Sequence, residues 1–143
     1  LETLPPHQAK TICIDRDWQI IKNESGENIN TLVSSINNAY ILYTSGSTGQ
    51  PKAVVIDRQN VIGLIYWAKE IFSYQDLSGV LASTSICFDL SVFEIFVPLS
   101  WGGKVIVTEN LLHLHSSVAA QEVTLINTVP SAIAELLIID GIL

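Results

Sequence analysis

From residue 53 onward the apolar residues alternate between strand-like and helix-like spacing, and this alternation constrains the fold more than any other feature. Residues 53–56 read as a strand. Val61, Leu64, Ile65, Ala68 and Phe72 then recur on one helical face, with Asp57 or Asn60 placed to cap the helix. Residues 79–82 read as a strand, and residues 90–97 as a short apolar helix disturbed by Pro98. Gly102 and Gly103 turn the chain into a strand at 104–108, and residues 123–127 form another. A last helix opens at Pro130 and closes near Gly141. The order β-α-β-α-β-β-α predicts an α/β layered fold with a largely parallel sheet flanked by helices.

The part before this alternation is less regular. Residues 10–14 read as a short buried strand, while 15–18 and the turn-rich stretch 23–28 read as loop. Residues 1–38 are therefore expected to be an irregular lead-in to an organised portion at 39–143. Residues 39–43 form a strand by aromatic and β-branched content. A polar loop at 44–52 separates it from the strand at 53–56, which predicts an antiparallel pair with an elaborate turn.

Composition narrows the function classes. The chain carries 14 Asp and Glu against 7 Lys and Arg, a net charge of −7, which argues against a nucleic-acid surface. No apolar run approaches the roughly 18 residues of a membrane span. No basic leader precedes an apolar stretch, so a cytoplasmic protein without membrane attachment is expected. Cys13 and Cys87 lie in apolar stretches and read as reduced core residues. The absence of methionine and the leading Leu1 set the expectation that the chain is an excerpt of something longer.

The chemistry concentrates in Tyr43-Thr-Ser-Gly-Ser-Thr-Gly-Gln-Pro-Lys52. Thr44, Ser45, Ser47 and Thr48 supply hydroxyls, Gly46 and Gly49 supply backbone freedom, and Lys52 supplies a cation. Glycines let consecutive N–H groups turn toward one point, which makes an anion-binding concavity. Charge-assisted hydrogen bonds contribute about 1.5–3 kcal/mol each, so a handful can hold a polyphosphate. The competing reading is a Ser/Thr/Gly-rich surface turn, which composition alone favours. A flexible linker, however, would not be wedged between two apolar strands with a lysine at its end. A P-loop needs Gly-Lys-Ser/Thr; here Lys52 follows Pro51 and precedes Ala53, so that pattern fails.

The same ten residues resemble the phosphate-loop signature of adenylate-forming enzymes, which include acyl-CoA synthetases, luciferases and the adenylation domains of nonribosomal peptide synthetases. Ala53 stands where that family usually has glycine. A second stretch, Cys87-Phe-Asp-Leu-Ser-Val-Phe-Glu-Ile-Phe96, resembles the Phe-Asp-x-Ser motif of the peptide-synthetase branch. There the aspartate binds the α-ammonium group of the amino acid. From the residues alone, Asp89 is a helix cap for the segment beginning near Leu90. The motif on both sides turns the preference to the ligand role, and the two roles are compatible.

The resemblance extends over nearly the whole chain, including residues 10–17 and 123–131. It implies part of the large N-terminal portion of an adenylate-forming enzyme. It also implies an ATP-dependent, AMP-forming ligase that makes aminoacyl-AMP for loading onto a phosphopantetheine carrier. ATP and Mg²⁺ are then required, and peptidyl carrier and condensation domains are the expected partners. The phosphates fall to Thr44, Ser45, Gly46, Ser47, Thr48, Gly49 and Lys52. The substrate falls to Phe88, Asp89, Leu90, Phe93 and Asn127, and an Asp-Leu-Phe-Asn beginning resembles pockets that select alanine. No catalytic or metal-binding residue of the family falls within these 143 residues, so the segment alone is expected to be inactive. Two rival functions are an acyl-activating enzyme, which has no need of Asp89, and a truncated fragment that only binds.

Other residues have simpler expectations. Trp18, Trp67 and Trp101 read as packing residues, and Arg58 receives no function. His7, His113 and His115 read as solvated, because no partner is spaced to complete a metal site.

Overall fold

In the computed structural model, which describes residues 5–29, 31–45, 49–111, 114 and 118–139, the chain divides into two units, Leu1–Leu32 and Val33–Leu143. Within the first unit the expected strand at 10–14 does not form. Instead the Asp17 N–H donates to the Cys13 carbonyl at 2.7 Å, and the Cys13 N–H donates to the Asp17 carboxylate at 2.8 Å. This closed turn leads into a one-turn helix α1 (Trp18–Ile21), whose first residue, Trp18, was expected in a loop. The physical reason is local satisfaction: the donors at 13 and 17 serve each other, and Ile12 and Ile14 stay exposed rather than joining a sheet. The Arg16 guanidinium also donates to Asp17 at 2.8 Å and holds that carboxyl down at about 2.

The second unit opens with the expected antiparallel pair. Strand β1 (Asn38–Thr44) pairs with β2 (Lys52–Asp57) from Asn38 opposite Asp57 to Thr44 opposite Lys52, with an irregularity between Asn38 and Tyr40. Helix α2 (Arg58–Ile71) follows at once. Asp57 caps it by accepting the Asn60 N–H at 3.0 Å. Its inward stripe is the one the spacing predicts: Val61, Leu64 and Ile65 are half-buried and Ala68 is fully buried.

A 3₁₀ turn at Asp76–Ser78 leads into β3 (Gly79–Ala82), which pairs in parallel with β4 (Lys104–Val107). Between them runs α3 (Leu90–Ser100). Pro98 does not end this helix, contrary to expectation. It sits in the last turn, and its carbonyl accepts the N–H groups of Trp101 and Gly103 at 3.1 and 2.8 Å, which closes the helix end. After a 3₁₀ turn at Val118–Glu122, helix α4 (Pro130–Ile139) starts at the predicted proline, while Gly141 lies outside the described residues.

Alternation along β3 sends Val80 and Leu81 to opposite faces. Val80 packs with Ala68, Leu77, Phe93 and Val97 beneath α2 and α3. Leu81 packs with Ile106, Leu111, Leu114 and Leu136 of α4. The class is α/β with short sheets. Among the described residues there are two separate two-stranded sheets, one of them antiparallel, rather than one largely parallel sheet. The strand expected at 123–127 shrinks to a single parallel bridge between Val80 and Leu125. There the Thr124 side chain accepts the Gly79 N–H at 2.9 Å and donates to the Asp76 carbonyl at 2.7 Å. Backbone bonding is kept at this point, the Thr124 N–H donating to the Gly79 carbonyl at 2.8 Å and the Leu81 N–H to the Leu125 carbonyl at 2.9 Å, and the Thr124 side chain adds to it.

Two further expectations are corrected. Cys13 is half-buried and Cys87 exposed, so both are free thiols but neither belongs to the core. Trp18 is half exposed, while Trp67, also half exposed, packs edge-to-face with Phe72 at 6.3 Å between ring centroids. Trp101 does pack: its indole N–H donates to the Ile65 carbonyl at 3.0 Å, and the Lys69 ammonium lies 4.2 Å from its ring.

Candidate functional site

The site is built where β1, the start of α3 and the chain around Leu125 converge. A cavity of about 460 Å³ is lined there by Asp89, Leu90, Phe93 and Asn127, together with Tyr40, Trp67 and apolar neighbours. Four of the five residues assigned to the substrate thus border one space. Phe93 is buried, Leu90 and Asn127 are half-buried, and Asp89 is exposed. The walls are mostly apolar, with Asp89 the one charged side chain among the lining residues.

Asp89 occupies the N-cap position of α3 in helical geometry, yet its carboxylate accepts no capping hydrogen bond. The helix start is instead held by the Ser91 hydroxyl, which donates to the Phe88 carbonyl at 2.7 Å. The cap role expected from the residues alone is therefore not made. Phe88, the fifth substrate residue, is half exposed and faces a second cavity of about 250 Å³ shared with Thr44, Tyr43 and Cys87.

Thr44, Ser45, Gly49 and Lys52 flank the phosphate-type loop and are all exposed. The Thr44 hydroxyl reaches the Lys52 carbonyl at 3.5 Å across the strand pair. Gly49 has φ of +79°, a conformation that L side chains rarely adopt. The three central residues Gly46, Ser47 and Thr48 lie outside the described residues, as do His113 and His115. Hydroxyls and an ammonium suit phosphate oxygens by chemistry. The ammonium cannot ligate a metal ion, so Mg²⁺ would be held here by hydroxyls and by the phosphates whose charge it neutralises. Among the described residues no cluster of His, Cys, Asp or Glu could hold a metal ion, and no helix is long and apolar enough to cross a membrane.

Sequence reasoning passed over two residues near the site. Glu94, one turn beyond Leu90 on α3, has no solvent exposure and accepts the Thr84 hydroxyl at 2.7 Å and the Thr84 N–H at 3.2 Å. Burial pushes its carboxyl above the usual range, partly offset by those donors. A lone charge inside Val92-Phe-Glu-Ile-Phe96 was the available signal. Tyr40 is half-buried and borders both cavities. Burial first, and the charge of Asp89 second, raise its phenol above the ordinary value and keep it neutral. Its signal was the shared strand face of Tyr40 and Leu42.

Comparison with known proteins fits this geometry. A family profile described as "AMP-binding enzyme" matches residues 2–141. One of the linear gramicidin synthase proteins of Brevibacillus parabrevis is 57% identical over 142 residues, covering 99% of this chain and 3% of that protein. A second linear gramicidin synthase protein from the same organism is 54% identical over 142 residues, with the same coverage of 99% and 3%. The AMB antimetabolite synthetase AmbB of Pseudomonas aeruginosa is 44% identical over 120 residues, 80% of this chain and 10% of that protein. The chain thus spans only a small part of the length of these relatives.

Proposed function

Because the chain belongs to the AMP-binding enzyme family, in the branch of the nonribosomal peptide synthetases, we propose that it forms the phosphate-loop and amino-acid-pocket portion of an amino-acid-activating domain. The observation that carries this reading is the 460 Å³ apolar cavity with the uncapped Asp89 carboxylate on its wall. Asp89 is open to water. Once a bound substrate excludes that water, the Asp89 carboxylate among apolar side chains needs a cationic partner, and the ammonium group of an amino acid supplies it. An acyl substrate would leave Asp89 without a partner.

In the proposed reaction the amino-acid carboxylate attacks the α-phosphate of ATP, giving aminoacyl-AMP and releasing pyrophosphate. Thr44, Ser45, Gly46, Ser47, Thr48, Gly49 and Lys52 hold the β- and γ-phosphates with hydroxyls, backbone N–H groups and one ammonium. Mg²⁺ supplies neutralisation of phosphate charge when bound. Asp89 holds the substrate ammonium, and Phe88 lies beside the reacting carboxylate. Leu90, Phe93 and Asn127 line the side-chain pocket. Leu90 and Phe93 fill volume without offering charge, which disfavours acidic and basic side chains, and the resemblance of Asp-Leu-Phe-Asn to alanine-selecting pockets makes alanine the proposed substrate. The aminoacyl group then passes to a phosphopantetheine thiol on a carrier domain, with a condensation domain of the same synthetase as a further partner, in the cytoplasm.

Residues 39–143 are the α/β part that carries both sites, and residues 1–38 lead into it. We read β3, β4 and the bridge at Leu125 as a portion of a larger layered, largely parallel sheet. The test is ATP–pyrophosphate exchange by a protein containing this chain with the remainder of its adenylation domain, run against a panel of amino acids. Exchange stimulated by alanine supports the reading. Exchange driven only by fatty or aryl acids overturns it, and strong preference for lysine, arginine, glutamate or tryptophan overturns the alanine assignment.

A further inference from the structure

Three cavities surround one side chain. The 460 Å³ cavity at Asn127, the 250 Å³ cavity at Phe88 and a third of about 350 Å³ beside Val61 and Phe96 all have Tyr40 in their walls. The first two share Asp89 as well, and no other lining residue. Tyr40 is held there by backbone pairing: it lies opposite Ile56 in the β1–β2 ladder, and the strand's alternation turns its neighbour Ile41 outward.

We propose that Tyr40 is a specificity-determining residue, whose ring is the wall between the space for the substrate side chain and the space for its carboxylate. The inference rests on Asp89 holding the ammonium. An amino acid anchored there has its α-carbon at the divide between the two cavities. Thr44, at the start of the phosphate loop, borders the smaller one. The carboxylate that must meet ATP therefore faces the smaller cavity, and the side chain takes the larger. With the ring in place the two groups cannot exchange positions, and the side chain cannot spread toward Phe88. The phenol is neutral, so the wall adds no charge to compete with the substrate carboxylate.

The test uses a protein containing this chain within a complete adenylation domain and measures kcat/KM in pyrophosphate exchange for alanine, leucine and phenylalanine. Tyr40→Ala and Tyr40→Leu open the wall, and Tyr40→Leu keeps an apolar group in place where the alanine variant fails to fold. The expected result is a rise of at least about tenfold in the ratio of phenylalanine to alanine, the size of effect a change in pocket volume produces. The KM for ATP stays within about twofold, while Tyr40→Phe keeps the selectivity ratio within about threefold. An unchanged ratio in both opened variants overturns the proposal. An equal change in Tyr40→Phe also overturns it, because the hydroxyl rather than the ring would then discriminate. Absence of any amino-acid dependence in the unaltered protein overturns the ammonium reading itself, and the wall's role with it.

Discussion

Glu94 and Thr84 are joined twice, by a hydroxyl at 2.7 Å and a backbone N–H at 3.2 Å donated to one carboxylate that solvent does not reach. The pair ties the middle of α3 to the chain leaving β3, and so fixes the helix that carries Asp89, Leu90 and Phe93. Replacing the carboxylate with a methyl group leaves two donors without their partner, at about 1–3 kcal/mol each. Glu94→Ala is therefore expected to lose about 2–6 kcal/mol in denaturant unfolding. Loss below about 0.5 kcal/mol would show that the pair does not hold the helix.

Glu94 also makes stability depend on pH. Its folded carboxyl titrates above its ordinary value, so between those two points the folded chain binds more protons than the unfolded one. Its contribution is fully present below the ordinary carboxylate range and is lost as pH rises through the raised value. Glu94→Gln can keep both contacts, the amide oxygen accepting the N–H and the amide donating to the hydroxyl. Its melting temperature should gain on that of the unaltered protein as pH rises from about 4.5 to 7. A constant difference across that range would contradict this account.

Asp89 separates amino-acid use from ATP use. In a complete domain, Asp89→Asn removes the charge that faces the ammonium. A charged hydrogen bond of about 1.5–3 kcal/mol corresponds to a rise of roughly ten- to a hundredfold in the KM for the amino acid. The KM for ATP should move by less than about threefold. An unchanged amino-acid KM would return Asp89 to a plain helix start.

The loop makes the opposite prediction. A Cβ at Gly49 meets nothing within 4 Å, so substitution there is limited by φ of +79° alone. Gly49→Val should weaken ATP use much more than Gly49→Asn, since asparagine tolerates that backbone region and valine does not. Lys52→Ala should raise the KM for ATP by about tenfold while leaving amino-acid selectivity in place. Equal ATP dependence in all three variants would make the loop a structural turn only.

Glycines elsewhere sort by space. A Cβ at Gly79 would lie 2.0 Å from the Glu122 carbonyl oxygen, and one at Gly103 would lie 1.9 Å from that of Leu77. Both neighbours are backbone, so Gly79→Ala and Gly103→Ala should each lose about 1–3 kcal/mol or more. Gly63, inside α2 with open space around it, should gain about 0.5–1 kcal/mol as alanine. Thermal unfolding of the three variants checks both signs.

What the sequence by itself determined is whatever short-range chemistry controls. The α2 stripe, its cap at one of two candidates, Asp57 or Asn60, the β1–β2 pair, the proline start of α4 and the two motifs were all legible, because each depends on residues a few positions apart. The strand expected at 10–14 failed where Asp17 offered a nearer partner to the Cys13 N–H than any sheet could. The strand expected at 123–127 shrank to one bridge at Leu125, with Thr124 bonded to Gly79 through both its backbone and its side chain. Only the tertiary structure decided that Tyr40 and Asp89, 49 positions apart, border the same two cavities. It also decided that Glu94 is buried rather than solvated. Cavities form between elements and depend on how strands and helices stack, and no local period encodes that distance.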